Sequence, residues 1–456
     1  MVEIDKKADI GGGVNGDVEN RMFLAKELAD INRIETLDVA QKAKVKWAIE
    51  GDENSKFFHG ILNKRRRNTA VRGVFSDGRW IEEPKLVKEE FRKHFAERFA
   101  KPDWVKPQVD QPFSCVLSVE QSEELESEVT MEEVKRAVWD CGSDKAPGPD
   151  GFTFEFFKKF WYLAKSEVVD AVKCFFNMGH FPSGCNASFI ALIPKVQQPK
   201  FVKDYRPISL IGCQYKIIGK LLANRLANVI DGIVSKEQSA FIKGRQILDG
   251  PFILNELASW CKYKREKAYV FKVDFQKAYD SVRWDHLIEV MLQLGFGERW
   301  RCWISSCLHS ATSSVLVNGS PTDQFQLARG LRQGDPLSPF LFILVMESLH
   351  IMVQRVMERG LMCGFTFGRS IQTSISHLFY ADDTIFIGSW DKENVDSLVS
   401  LLHVFHLVSG LSINLQKSKL LGLGVTFEEV QHMATSTGCE PIKLPFDYLG
   451  LLVGGA

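Results

Sequence analysis

His377-Leu-Phe-Tyr-Ala-Asp-Asp-Thr-Ile-Phe-Ile-Gly388 is an apolar stretch interrupted at its middle by two adjacent acids. His377–Tyr380 leads in as a strand, Ala381-Asp382-Asp383 makes a tight turn, and Thr384–Gly388 leads out, a β-hairpin with carboxylates at its tip. Two acids in a turn mean little alone. A hundred residues earlier, Val270-Phe-Lys-Val-Asp274 is rich in β-formers and also ends on an acid, where the strand leaves the core. A helix is expected after it, over Arg283–Leu294, with Leu287, Met291 and Leu294 inward.

If these apolar strands pair side by side, Asp274, Asp382 and Asp383 converge, with Asp274 and Asp382 near enough to share an ion. Three converging carboxylates repel unless divalent cations neutralise them. Mg²⁺ suits such a site because it takes oxygen ligands, keeps several waters and is completed by phosphates. Two such ions about 4 Å apart activate an attacking hydroxyl and stabilise a leaving oxygen, the chemistry of nucleotidyl transfer.

The 456 residues leave room for more than one domain. Lys+Arg 57 balances Asp+Glu 57, which argues mildly against a simple electrostatic binder of nucleic acid and leaves open a local basic groove. Such a groove is suggested between Lys42 and Arg79, where ten basic residues face four acids and Lys64-Arg-Arg-Arg67 lies near Trp47, Phe57 and Phe58. The cluster reads as an RNA contact or a nuclear-targeting signal; the plainer reading is a solvated face. Residues 1–18 read as a flexible lead-in and 19–58 as helical. Ten scattered cysteines form no metal-ligand spacing and read as buried thiols of a reducing compartment. His403 and His406 read as structural. The longest apolar run, Phe340–Met346, is too short to span a bilayer and is closed by Glu347. No secretory signal is visible, so the expected location is intracellular, in cytoplasm or nucleus. Thr130 is a plausible N-cap ahead of Glu133, and Lys145-Ala-Pro-Gly-Pro-Asp-Gly151 a rigid turn.

Tyr380-Ala-Asp-Asp383 together with Phe271-Lys-Val-Asp-Phe-Gln-Lys-Ala-Tyr-Asp280 resembles the reverse transcriptases of LINE-type (non-LTR) retrotransposons, most closely those of plants. The resemblance runs in order over about 300 residues: Lys145–Phe152, Ile190–Lys195, Asp204–Leu210, Gln238–Asp249, Gly330–Pro339, Gly410–Lys419 and Tyr448–Gly450 each resemble a family block. Trp47–Gly60 is similar to the stretch between endonuclease and polymerase.

The resemblance implies an α/β right hand of fingers and palm, with an antiparallel palm sheet packed on helices. Residues 1–112 would form a helical, basic arm and linker, 113–260 the fingers with the start of the palm, and 261–456 the palm. A complete element would continue into a thumb, so the chain is expected to be truncated before one. The implied activity is RNA-directed DNA synthesis: transfer of dNTPs onto a primer 3′-hydroxyl, using an RNA template, a DNA primer and two Mg²⁺ ions, with Mn²⁺ as a substitute. No membrane partner is implied, and oligomeric state stays open. By resemblance Asp274, Asp382 and Asp383 are the catalytic metal ligands. Tyr279 stacks under the incoming sugar and excludes a 2′-hydroxyl. Gln333 contacts the nucleotide, Gly334 permits close backbone approach, and Lys195 and Arg206 meet the triphosphate. Lys417 or Lys419 protonates the leaving pyrophosphate. Lys64, Arg65, Arg66 and Arg67 remain candidates for nucleic acid. Two other readings are a silent relic that at most binds RNA, and an RNA-dependent RNA polymerase, against which Tyr279 argues.

Overall fold

A computed structural model of the chain describes residues 70–108, 112–143, 145–368 and 373–454. The Lys64–Arg67 cluster, residues 1–18 and the helix expected over 19–58 lie outside them. Residues 73–456 make one compact unit. Within it, helix Pro84–Arg98 spaces Val87, Phe91 and Phe95 about one turn apart and buries all three. The Phe91 ring meets Tyr205 edge-on at 5.4 Å. The compact body therefore begins near residue 73, not at the boundary expected after 112, because this apolar stripe needs a partner surface.

The fold is mixed α/β, built on two five-stranded sheets. The first runs in the order His377–Tyr380, Asp383–Ser389, Ala268–Val273, Lys419–Leu423, Glu440–Ile442. Its first four strands are antiparallel and the last pair is parallel. The second sheet runs Tyr205–Ile211, Ala187–Pro194, Thr312–Val317, Ser320–Pro321, with Phe325–Gln326 also on Thr312–Val317. Ala187–Pro194 pairs in parallel with Thr312–Val317, so segments expected in fingers and palm share one sheet.

The central palm strands are apolar on both faces. Val270, Ile385 and Ile387 pack against Leu254, Leu257 and Cys261 of helix Asp249–Lys264 and against the hairpin of Phe446–Tyr448 with Leu451–Val453. Phe271 and Phe386, opposite each other across the ladder, fill the other face. Each such side chain stabilises the sheet by about 1.5–3 kcal/mol. The turn Lys145–Gly151 is tied to helix Cys213–Ile233, whose first N–H, on Cys213, donates to the Asp150 carboxylate at 2.5 Å. Thr130 and Glu133 form the expected reciprocal cap.

Two sequence expectations change. The apolar run beginning at Phe340 does not stop at Glu347: one described helix, Ser338–Glu358, is long and apolar enough to cross a membrane, yet 67% of its most apolar window is buried inside the protein. Glu347 fits in this core helix because its carboxylate accepts from the Ser235 N–H at 3.0 Å. Of the ten free cysteines only Cys213, Cys261, Cys307 and Cys439 are buried; Cys174 and Cys302 sit on exposed faces of helices Trp161–Met178 and Glu298–His309. His406 packs against Trp104, its ring centroid 5.2 Å away.

Candidate active site

The hairpin tip is the tightest the pairing allows. Tyr380 pairs with Asp383, leaving Ala381-Asp382 as a two-residue loop. Ala381 takes φ +54°, a left-handed conformation that costs a non-glycine residue about 1–2 kcal/mol. Its N–H donates to Oε1 of buried Gln238 at 3.1 Å, and the same oxygen accepts from Ala240 N–H at 3.0 Å. Backbone bonds from Phe379 N–H to Glu237 (2.8 Å) and from Ser239 N–H to Phe379 (2.9 Å) lay this segment along the hairpin. Sequence reasoning placed Gln238 only at the start of a family block; a buried amide bridging two separate loops has no local signal.

Asp274 follows strand Ala268–Val273, whose last residue pairs with Thr384. Its carbonyl accepts from Asn414 N–H at 2.7 Å and its N–H donates to Ser418 Oγ at 3.1 Å, so both sides of the peptide are fixed while the carboxylate stays exposed. Asp274, Asp382 and Asp383 line one cavity of about 400 Å³ together with Lys272, Lys417 and Lys419. Burial pushes the carboxyls of Asp382 and Asp383 above the ordinary range, and the neighbouring acids push further in the same direction. Arg206 pulls Asp382 back, whereas Lys272 pulls back Asp383. Asp382 sits in the loop and Asp383 opens the outgoing strand, and the two carboxylates have different cationic neighbours. The three acids share the cavity without forming a tight knot. Among the described residues the trio whose ligand atoms all lie within 4.8 Å of one another is Glu237, His350 and His377.

Residues 193–453 match the family model described as reverse transcriptase (RNA-dependent DNA polymerase). The chain belongs to the reverse transcriptase family. Relatives of this chain include proteins of non-LTR elements. The Transposon TX1 uncharacterized 149 kDa protein of Xenopus laevis is 27% identical over 381 residues, 83% of this chain and 28% of that protein. A Pol polyprotein of the R2 element of Popillia japonica is 27% identical over 294 residues, 64% and 39% of the two chains. The RNA-directed DNA polymerase from mobile element jockey of Drosophila melanogaster is 28% identical over 247 residues, 52% and 25%. This chain thus spans between a quarter and two-fifths of the length of these relatives.

The other expected site residues of this reverse transcriptase domain gather around Asp382 and Asp280. Tyr279 stacks on Phe342 of helix Ser338–Glu358, centroids 4.7 Å apart and planes within 9°. Burial, then Asp382, pushes its phenol well above the ordinary value. The Gly330–Pro336 turn crosses this segment closely. Leu331 N–H donates to the Tyr279 carbonyl at 2.6 Å, and a Cβ on Gly330 would meet the Asp280 carbonyl at 2.6 Å. Gly334, at φ +102°, lies against strand Tyr205–Ile211, where a Cβ would come within 3.1 Å of the Ser209 carbonyl. Gln333 turns inward: its amide donates to Asp280 at 3.1 Å, and its carbonyl accepts from Ser209 N–H at 2.8 Å. Asp335 anchors the turn by accepting from buried Tyr215 Oη at 2.7 Å.

Three charged residues not singled out from sequence belong to this region. Buried Asp280 pairs with Arg98 at 3.2 Å; burial pushes its carboxyl up and Arg98 opposes the push. Lys277 has left-handed backbone (φ +50°), and burial, followed by Arg98 and Lys195, depresses its ammonium to about 8. Burial also lowers Lys195, helped by Arg98, Arg206 and Lys417. The cations that act on Lys195 and Lys277 mark a basic cluster of Arg98, Lys195, Arg206, Lys277 and Lys417. Asp280 and Lys277 lie inside the quoted block ending at Asp280, but Arg98 comes from the segment expected to be an arm, with no signal of its own. Lys419 is drawn aside, ion-paired with Glu440 at 3.7 Å, whereas Lys417 is felt by Lys195.

Proposed function

We propose that this domain transfers deoxynucleotides onto a primer 3′-hydroxyl under the direction of an RNA template, with Asp274, Asp382 and Asp383 as the catalytic carboxylates. The observation that carries the reading is the shared cavity of these three acids, two of them with carboxyls raised by burial and by neighbouring acids. Carboxylate oxygens open to solvent fit a hard divalent cation, and reverse transcriptase chemistry depends on one. Mg²⁺ is the natural occupant and two ions the natural count, with Mn²⁺ as a substitute. When bound, such ions activate the attacking hydroxyl and stabilise the leaving oxygen.

The chain's own residues divide the remaining work. Arg206, Lys195, Lys277 and Lys417 present positive charge to the triphosphate, Arg206 through a planar fork and the lysines as point charges. Lys417 is the better placed of the two motif lysines to pass a proton to the departing pyrophosphate, because Lys419 is held by Glu440. Tyr279, backed by Phe342, offers a rigid ring beneath the sugar, which favours a DNA over an RNA polymerase. Gln333 is fixed by Asp280 at the same wall. Lys64–Arg67 would add nucleic-acid contact, and an intracellular location suits an RNA template.

Asp274→Asn or Asp382→Asn removes a negative ligand with little change in size, and single-nucleotide incorporation should fall by at least about 10²-fold, in line with loss of one preorganised electrostatic group. Circular dichroism should show the fold retained. Normal incorporation by either variant would refute the assignment.

A further inference from the structure

We propose that Glu237, His350 and His377 form a second metal site, for a transition-metal cation of the Zn²⁺ class, distinct from the carboxylate cavity. The three come from different elements. Glu237 lies on the connection after helix Cys213–Ile233, His350 is within helix Ser338–Glu358, and His377 opens the strand leading to Asp382. His350 Nδ1 stands 2.8 Å from His377 Nε2 and 3.7 Å from Glu237 Oε2. All three ligand atoms fall within 4.8 Å of one another.

A four-coordinate ion with bonds of about 2.0–2.1 Å holds its donor atoms roughly 3.3 Å apart. The two separations from His350, 2.8 and 3.7 Å, lie on either side of that value, and the Glu237–His377 pair, within 4.8 Å, would close to it by a side-chain shift of at most about 1.5 Å. His377 is fully buried and its other nitrogen, Nδ1, lies 2.8 Å from Ser376 Oγ. That hydroxyl orients the ring and leaves Nε2 turned to the site, the outer partner a metal-bound histidine needs. Glu237 is only partly buried, which gives an entry path and room for water as fourth ligand. Two imidazoles and one carboxylate favour Zn²⁺, Co²⁺, Ni²⁺ or Cu²⁺ over Mg²⁺.

A metal here would act on the hairpin. It would tie His377, five residues before Asp382, to the long core helix and to the segment that carries Gln238. Since Gln238 accepts from Ala381 N–H, the ion would brace the turn that presents the catalytic acids.

The test uses the full chain with a thiol-free reductant and excess Mg²⁺, which occupies oxygen-only sites. Co²⁺ is then titrated as the probe. The site predicts one equivalent with the intense visible absorption of four-coordinate Co²⁺, no thiolate charge-transfer band, and displacement by Zn²⁺. His350→Ala should abolish the spectrum and Glu237→Gln should weaken binding about tenfold or more, while His403→Ala leaves both unchanged. Glu237 is half-exposed, so its variant keeps the test decisive if His350→Ala fails to fold. Absence of the four-coordinate spectrum, or its persistence in Glu237→Gln at wild-type affinity, would overturn the site and leave a hydrogen-bonded histidine pair.

Discussion

We propose that Tyr279 sets the choice of sugar. Its ring is held flat against Phe342 and sits close enough to Asp382 to feel its charge. Discrimination over one small group is typically worth about 1–3 kcal/mol. Tyr279→Val should therefore raise ribonucleotide use relative to deoxynucleotide use by roughly one to two orders of magnitude. Matched dNTP and NTP incorporation would measure it, and an unchanged ratio would make Tyr279 a packing residue. Lys277 gives a pH signature. Burial depresses its ammonium to about 8, so it is charged below that pH and loses its charge above it. If it meets the triphosphate, KM for dNTP should climb as pH rises through about 8, and Lys277→Arg, which stays charged, should flatten the climb. A wild-type profile in the arginine variant would remove Lys277 from the site. At this scale the sequence singled out Asp274, Asp382, Asp383, Tyr279 and Gln333 because each stands in a dense local motif, and the fold sets the three acids on one cavity with Tyr279 and Gln333 beside Asp382 and Asp280. Arg98 and Gln238 were not legible, since each acts across more than 140 residues of chain and leaves no local pattern.

Among the elements, the hairpin emerged with its first strand as expected, His377–Tyr380, while the second runs Asp383–Ser389 and not Thr384–Gly388, because Asp383 pairs with Tyr380 and leaves the turn. The helix after Asp274 came out at Trp284–Gln293, within a residue of expectation at each end. The apolar run Phe340–Met346, which Glu347 closes in the sequence, lies inside a helix that continues past that acid, Ser338–Glu358. Glu347 inside it carries a consequence for stability. Burial raises its carboxyl from the ordinary 4.5 to about 7. The folded chain thus holds a proton that the unfolded chain has lost between pH 4.5 and 7, so stability falls as pH rises through that window. Glu347→Gln keeps an acceptor for Ser235 and removes the charge. It should raise the unfolding free energy by about 1–3 kcal/mol at pH 8 and change it little at pH 4.5. Thermal melts at the two pH values would show it, and equal effects at both would mean that the carboxyl is not titrating in that range.

On the scale of the whole molecule, chain order and spatial order part company. Thr312–Val317 was assigned to the palm by its position in sequence, yet it pairs with Ala187–Pro194 in the other sheet. Helix Pro84–Arg98 was expected in an arm, yet it belongs to the compact unit and supplies Arg98 to Asp280. Such long-range pairings are set by which apolar faces meet, which no local pattern reports. What the fold achieves is to bring acids from two strands to one cavity beside a cluster of cations gathered from five separate segments. That arrangement stands or falls with templated synthesis. The most direct measurement is extension of a DNA primer on an RNA template by the purified chain, with Mg²⁺ and with excess chelator. The account predicts template-matched dNTP addition that stops on chelation and is absent in Asp382→Asn. No addition in either Mg²⁺ or Mn²⁺, or addition that survives both the chelator and the substitution, would contradict it.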